Sequence, residues 1–154
     1  MKIEFWVLGK TSFKHLDQGI QDYAKRLKYL TNFQMFVFSD IKAKEANTFL
    51  KKEAKQVLNK LNKDDQLILL DERGKMFSSI EFAKEIEKRQ MLQQKRVVFL
   101  IGGAYGFDES IYQRANAKIS LSKMTFSHQL IRVLFLEQLY RAFTIIKGLP
   151  YHHE

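Results

Sequence analysis

The sequence predicts an α/β fold, with a mostly parallel sheet and helices on both of its faces. Two observations carry this expectation. Short runs rich in β-branched and aromatic residues alternate along the chain with longer segments of helical period. The strand-like runs are apolar throughout instead of alternating with polar residues, which is the pattern of strands covered on both sides. The chain has 154 residues, of which 45% are hydrophobic and 13% aromatic. That is enough to bury a core of its own and argues against disorder. No linker, repeat or low-complexity tract divides it, so residues 1–154 are expected to form one domain.

Ile3 to Leu8 reads as a buried strand ended by Gly9. Phe13 to Leu30 has helical period, with Leu16, Ile20, Tyr23, Ala24 and Leu27 on one stripe. Phe33 to Phe38 is strand-like and aromatic. Ala43 to Leu61 reads as a second helix, with Ala46, Leu50, Ala54, Val57, Leu58 and Leu61 inward and Lys51, Lys52, Lys55 and Lys60 outward. Leu67 to Leu70 is a short strand, and Asp71 to Lys75 reads as a loop. Ser78 or Ser79 caps a helix running to about Leu92. Arg96 to Ile101 is the next strand, Ser110 to Ala117 a short helix and Ile119 to Leu121 a short strand. His128 to Ile146 is a final helix, apolar nearly all round. Such a helix is buried on most sides, which in a small protein favours a subunit interface; a central core helix within one subunit is the competing explanation.

Composition narrows the function. There is no cysteine, so disulfides, thiolate nucleophiles and cysteine metal sites are excluded. This fits a reducing compartment. The first residues lack a basic region followed by a long apolar segment, and no run is long enough to span a bilayer, so a cytoplasmic location without membrane attachment is expected. The formal net charge is +9. A polyanion such as nucleic acid is the natural partner, with a solvated lysine-rich surface as the plainer alternative.

The candidate chemistry lies in the last third. Gly102-Gly103-Ala104-Tyr105-Gly106 follows a strand, where glycines let backbone approach a ligand. Its spacing matches neither the dinucleotide fingerprint nor a phosphate loop. A tight turn without a ligand explains the glycines almost as well. Two other strand ends, Leu70-Asp71 and Leu121-Ser122, can reach the same edge, which is where open α/β sheets bind ligands. Ser127 can cap the final helix, contact a ligand, or both. His152-His153 offers no preformed ligand geometry, so no metal is expected.

Several segments together resemble one known family. They are Phe99 to Gly106, Leu121 to Val133, Glu137-Gln138-Leu139-Tyr140-Arg141-Ala142 and Pro150-Tyr151-His152, and the likeness extends over nearly the whole chain. They are similar to the ribosomal RNA large subunit methyltransferase H family, of the SPOUT class. The resemblance implies a SPOUT-type α/β knot, with a trefoil knot in the C-terminal part. It implies transfer of a methyl group from S-adenosylmethionine to N3 of a pseudouridine in helix 69 of 23S ribosomal RNA. The substrate would be the assembled ribosome and the enzyme a homodimer with cofactor sites near its interface. The cofactor-binding positions carried over are Leu70, Gly103, Ser122, Lys123, Met124, Thr125, Phe126 and Ser127. Ser127 stands where many relatives carry proline, which restores an N–H and loosens the backbone there.

Methylation at a ring nitrogen needs the reactants held in line and the nitrogen's proton removed. His152, His128 and Glu137 are the titratable candidates, and Arg132 or Arg141 can hold a phosphate or stabilise the ring anion. His152, Arg141 and Tyr151 are the favoured catalytic set, acting from a tail that reaches across a dimer interface. The competing reading is that Tyr151 and His152 only order the tail. Two other classes remain: a non-catalytic ribosome-binding or assembly protein, and a nucleotide-binding enzyme of small substrates. Cofactor binding and methyl transfer discriminate against the first; the absence of both standard phosphate-binding fingerprints weighs against the second.

Overall fold

A computed structural model describes all residues, Met1–Glu154. Its elements alternate strictly: β1 (Lys2–Leu8), α1 (Lys14–Leu30), β2 (Phe33–Phe38), α2 (Ala46–Lys60), β3 (Gln66–Met76), α3 (Ser79–Met91), β4 (Arg96–Ile101), α4 (Glu109–Arg114), β5 (Ala117–Ser120) and α5 (Leu130–Ile146). The strands form one sheet in the order β2-β1-β4-β3-β5, and every neighbouring pair is parallel.

The period of two within each strand divides the apolar side chains between two cores. Ile3, Phe5 and Val7 of β1 face a core shared with α1, α3 and α5, while Trp6 and Leu8 face a second core with α2 and α4. Glu4 is the polar exception in β1. It accepts from the Trp6 indole N–H at 2.6 Å and pairs with Lys2 and Arg96. Arg96 also binds the buried carboxylate of Asp65. Burial alone raises both carboxyls, but these partners outweigh it and hold them below their ordinary range.

Several boundaries differ from the sequence reading, among them the start of α5 at Leu130 instead of His128. β3 does not stop at Leu70 but continues to Met76. Both Leu70 and Lys75 pair with Ile119, so the intervening residues bulge from the ladder. Gly74 permits this, since a Cβ there would lie 2.6 Å from the Ile119 backbone. α2 begins at Ala46, which is exposed, and turns Glu53 inward. Lys60 is not an outer residue: its ammonium lies 3.8 Å from the centre of the Phe36 ring. Asp108 caps α4, which ends at Arg114, so that β5 starts at Ala117.

α5 lies beside α1 and α3. Phe135, Leu136, Leu139, Ala142 and Phe143 join the larger core. Much of its apolar surface is therefore buried within its own subunit. β5 is at the sheet edge, with β3 and β4 between it and β1. Yet the start of α5 is pinned to the end of β1. Gln129 Oε1 accepts from the Ser12 N–H at 2.9 Å, and Arg132 donates to the Leu8 and Gly9 carbonyls at 3.0 and 2.8 Å. The segment from Leu121 to Gln129 thus runs from beyond the β3 edge back to β1.

Candidate active site

A cleft of about 720 Å³ opens at the carboxyl ends of β3, β4 and β5, the edge where parallel sheets bind ligands. Of the expected cofactor positions, Leu70, Gly103, Ser122, Met124, Thr125, Phe126 and Ser127 line it; Lys123 does not and is exposed. His128 and Ile131 line the side that leads into α5.

Three loops build the walls. After β4, the Gly106 N–H donates to the Gly103 carbonyl at 3.2 Å, and Gly106 has φ +76°, which favours glycine. Gly103 is different: a Cβ there would meet nothing within 4 Å. Packing does not require this glycine, and a side chain would enter the open cleft. After β5, Ser122 Oγ accepts from the Met124 N–H at 3.0 Å, and the Ser120 hydroxyl donates to the Ser122 carbonyl at 2.8 Å. The Thr125 hydroxyl donates to Glu72 Oε2 at 3.1 Å, tying this loop to the β3 bulge. Ser127 acts as a cap: its Oγ accepts from the Leu130 N–H at 3.0 Å.

The β3 bulge joins Asp71, which the sequence placed at this edge, to Arg73 and Tyr112, which it did not single out. The Tyr112 hydroxyl donates to Asp71 Oδ2 at 2.6 Å, the Arg73 N–H to Asp71 Oδ1 at 2.8 Å, and the Arg73 guanidinium to the Tyr112 oxygen at 2.9 Å. Burial raises the Asp71 carboxyl, but these donors outweigh it and hold it ionised. The charged run Asp71-Glu72-Arg73 after an apolar strand was the available signal. It gave no hint of Tyr112, which comes from α4. Apolar side chains such as Leu70, Ile101, Ile119 and Leu121, the backbone of the two loops and the carboxylates of Asp71 and Glu72 all face the cleft. This set suits a ligand with a flat apolar ring and a positive charge, as an adenosyl sulfonium has.

The expected catalytic residues come together, but elsewhere. The Arg141 Nε–H donates to Glu137 Oε1 at 3.0 Å, and the Tyr151 hydroxyl donates to the same oxygen at 3.0 Å. The Tyr151 ring meets Tyr140 edge-on, with centroids 4.7 Å apart. Arg141 Nη1 lies 3.1 Å from His152 Nδ1. Arginine can only donate, so Nδ1 accepts and the ring proton sits on Nε2. That Nε2 is buried and has no partner within the chain. The tail is therefore not a loose polar end; it is folded onto α5 of its own subunit. Hydrogen bonding to Glu137 raises the Arg141 guanidinium above its ordinary range and keeps it charged.

Neither Arg141, Tyr151 nor His152 lines the cleft. Ile131 and Arg141 are ten positions apart on α5, about 15 Å at ~1.5 Å per residue. A smaller cavity of about 360 Å³ lies between, walled by Leu121 and Phe126 on the cleft side and by Glu137 on the tail side. Arg132, a candidate for holding phosphate or the ring anion, is fully buried and committed to the Leu8 and Gly9 carbonyls and the Thr11 hydroxyl. Its role is to fix α5 to β1. No group of three or more His, Asp or Glu residues is placed to hold a metal ion, and no helix is long and apolar enough to cross a membrane.

Comparisons with known proteins show the family. A family described as "Predicted SPOUT methyltransferase" matches residues 1–152. The chain is 48% identical to the ribosomal RNA large subunit methyltransferase H of Flavobacterium johnsoniae, with 100% of both chains covered. It is also 48% identical to the proteins of that name from Cytophaga hutchinsonii, covering 99% of this chain and 100% of the other, and Parabacteroides distasonis, covering 100% of both. On this similarity the chain belongs to the ribosomal RNA large subunit methyltransferase H family of SPOUT methyltransferases.

Proposed function

We propose that this protein is a homodimeric, single-domain cytoplasmic enzyme. It transfers a methyl group from S-adenosylmethionine to N3 of a pseudouridine in helix 69 of 23S ribosomal RNA, on the assembled ribosome. The observation that carries this reading is Gly103: it faces open cleft with nothing within 4 Å of its missing Cβ, at one of the positions the resemblance assigns to the cofactor. We further read the crossing from β5 back to β1 as the closing pass of a trefoil knot.

The cofactor supplies an electrophilic methyl group on a sulfonium. The chain's residues do the rest. Gly103 and the Ser122–Ser127 backbone bind and orient, Leu70 and Ile101 exclude water, and Asp71 contributes a fixed negative charge. In the dimer, the tail of one subunit lies over the cleft of the other, a reading that the ~15 Å separation within one chain supports. His152, whose Nε2 is covered within its own subunit, steadies Arg141 through Nδ1, and Arg141 brings its fixed positive charge to the substrate ring. That charge favours the ring anion. Tyr151 holds the tail by its bond to Glu137.

Radiolabelled transfer from S-adenosylmethionine to ribosomes lacking the modification, compared with free 23S RNA, tests the reading. Label in the intact ribosome, at the helix 69 pseudouridine, is the expected result. Ribosome binding without label would leave a non-catalytic binding protein.

A further inference from the structure

Tyr105 stands in the β4 loop between Gly103 and Gly106 and is 67% exposed, although it borders the cleft. The same ring also borders a neighbouring basin of about 550 Å³. Across that basin Phe49 of α2 meets it edge-on, with centroids 6.1 Å apart and planes at 74°. The basin wall also carries Lys42 and Lys44, against one carboxylate, Glu45. Both lysines are exposed, and neither takes part in an ion pair. A large ring braced on one side and open on the other thus sits at the lip of the transfer cleft, beside two free cations.

A base that enters a cleft to be alkylated must leave its stack, and its chain neighbour loses a stacking partner. A flat ring at the lip replaces that partner, since every base has a π-face. Resting on the RNA methyltransferase reading above, we propose that Tyr105, braced by Phe49, stacks on the nucleobase next to the one methylated, while Lys42 and Lys44 take the flanking phosphates. RNA fits better than a protein neighbour, because the free charge here is positive and the chain carries +9 overall.

The test measures methyl transfer to unmodified ribosomes by Tyr105→Ala and Tyr105→Phe, with S-adenosylmethionine affinity of each by calorimetry. Tyr105→Ala should raise KM for ribosomes on the order of 10-fold, Tyr105→Phe should stay within about 2-fold, and cofactor affinity should not change. The double variant Lys42→Gln/Lys44→Gln should lower the log–log salt slope of ribosome affinity by about 0.7 per lysine. An unchanged KM for Tyr105→Ala overturns the proposal. A loss confined to cofactor affinity also overturns it, by giving the ring to the cofactor. A wild-type salt slope in the lysine variant overturns the phosphate contacts and points to a protein neighbour. Wild-type protein that labels no ribosome overturns the parent reading and this one together; an active wild type beside an unaffected Tyr105→Ala overturns this one alone.

Discussion

Gly103 and Gly106 share one loop for different reasons. Gly106 answers to its own backbone, with φ +76°, whereas Gly103 has an ordinary φ and nothing near its absent Cβ. Gly103→Val should therefore leave the melting temperature unchanged while weakening S-adenosylmethionine binding by about 10-fold or more, ~1.4 kcal/mol. Calorimetry with unchanged affinity in a folded variant would remove Gly103 from the cofactor site. A second residue bears on stability. Glu53 is buried in α2, one of its oxygens has no partner, and burial pushes its carboxyl up to about 7. Its folded pKa is thus raised, and between about 4.5 and 7 the folded state holds a proton the unfolded chain has released. Stability falls as pH rises through that window and is level above it. Glu53→Gln should be more stable than wild type at pH 8, on the order of 1–3 kcal/mol, and lose that advantage toward pH 4.5. Urea unfolding at both pH values with no difference between them would contradict this.

At the scale of elements, the start of α5 depends on Ser127. Its hydroxyl accepts from Leu130 and its carbonyl from Ile131, closing the first turn where the crossing segment becomes helix. Ser127→Ala should cost roughly 1 kcal/mol and loosen the adjoining cleft wall; a melting temperature equal to wild type would mean that Gln129 and Arg132 anchor the helix alone. The apolar strands and helical stripes were legible in the sequence because burial imposes their period directly. The β3 bulge was not, because Asp71-Glu72-Arg73 has a loop's composition and only Gly74 against Ile119 keeps the strand paired beyond it. Arg132 was misread for a related reason. An arginine in an apolar helix looks available to a ligand until the Leu8 and Gly9 carbonyls that it binds are brought beside it from far along the chain. The shared edge was legible, because Leu70-Asp71, the glycine loop and Leu121-Ser122 each follow a strand; the individual cofactor positions were named through resemblance.

For the whole molecule, the decisive fact is that cleft and tail cluster occupy different parts of one subunit. Leu130 is exposed, and Ile131, Val133 and Leu134 are only half-buried, so the outer side of α5 keeps apolar surface near the cleft. In the proposed dimer, a two-fold pairing there would bring one subunit's tail toward the other's cleft. Sedimentation should give a dimer at micromolar protein, and a persistent monomer would sink the shared site. Mixed dimers test the sharing directly. Pair a Gly103→Val subunit with a His152→Ala subunit. If each site joins one cleft to the partner's tail, one site carries both lesions and the other carries none, so about half the wild-type activity remains. Place both substitutions in one chain and pair it with wild type. Each site then carries one lesion, and activity falls to the level of the single variants. If cleft and tail of the same chain worked together, the outcomes would exchange: the first mixture would be inactive and the second half-active. Because the two mixtures contain the same lesions in the same number, a general loss of stability cannot produce either pattern. The order of their activities reports which tail serves which cleft.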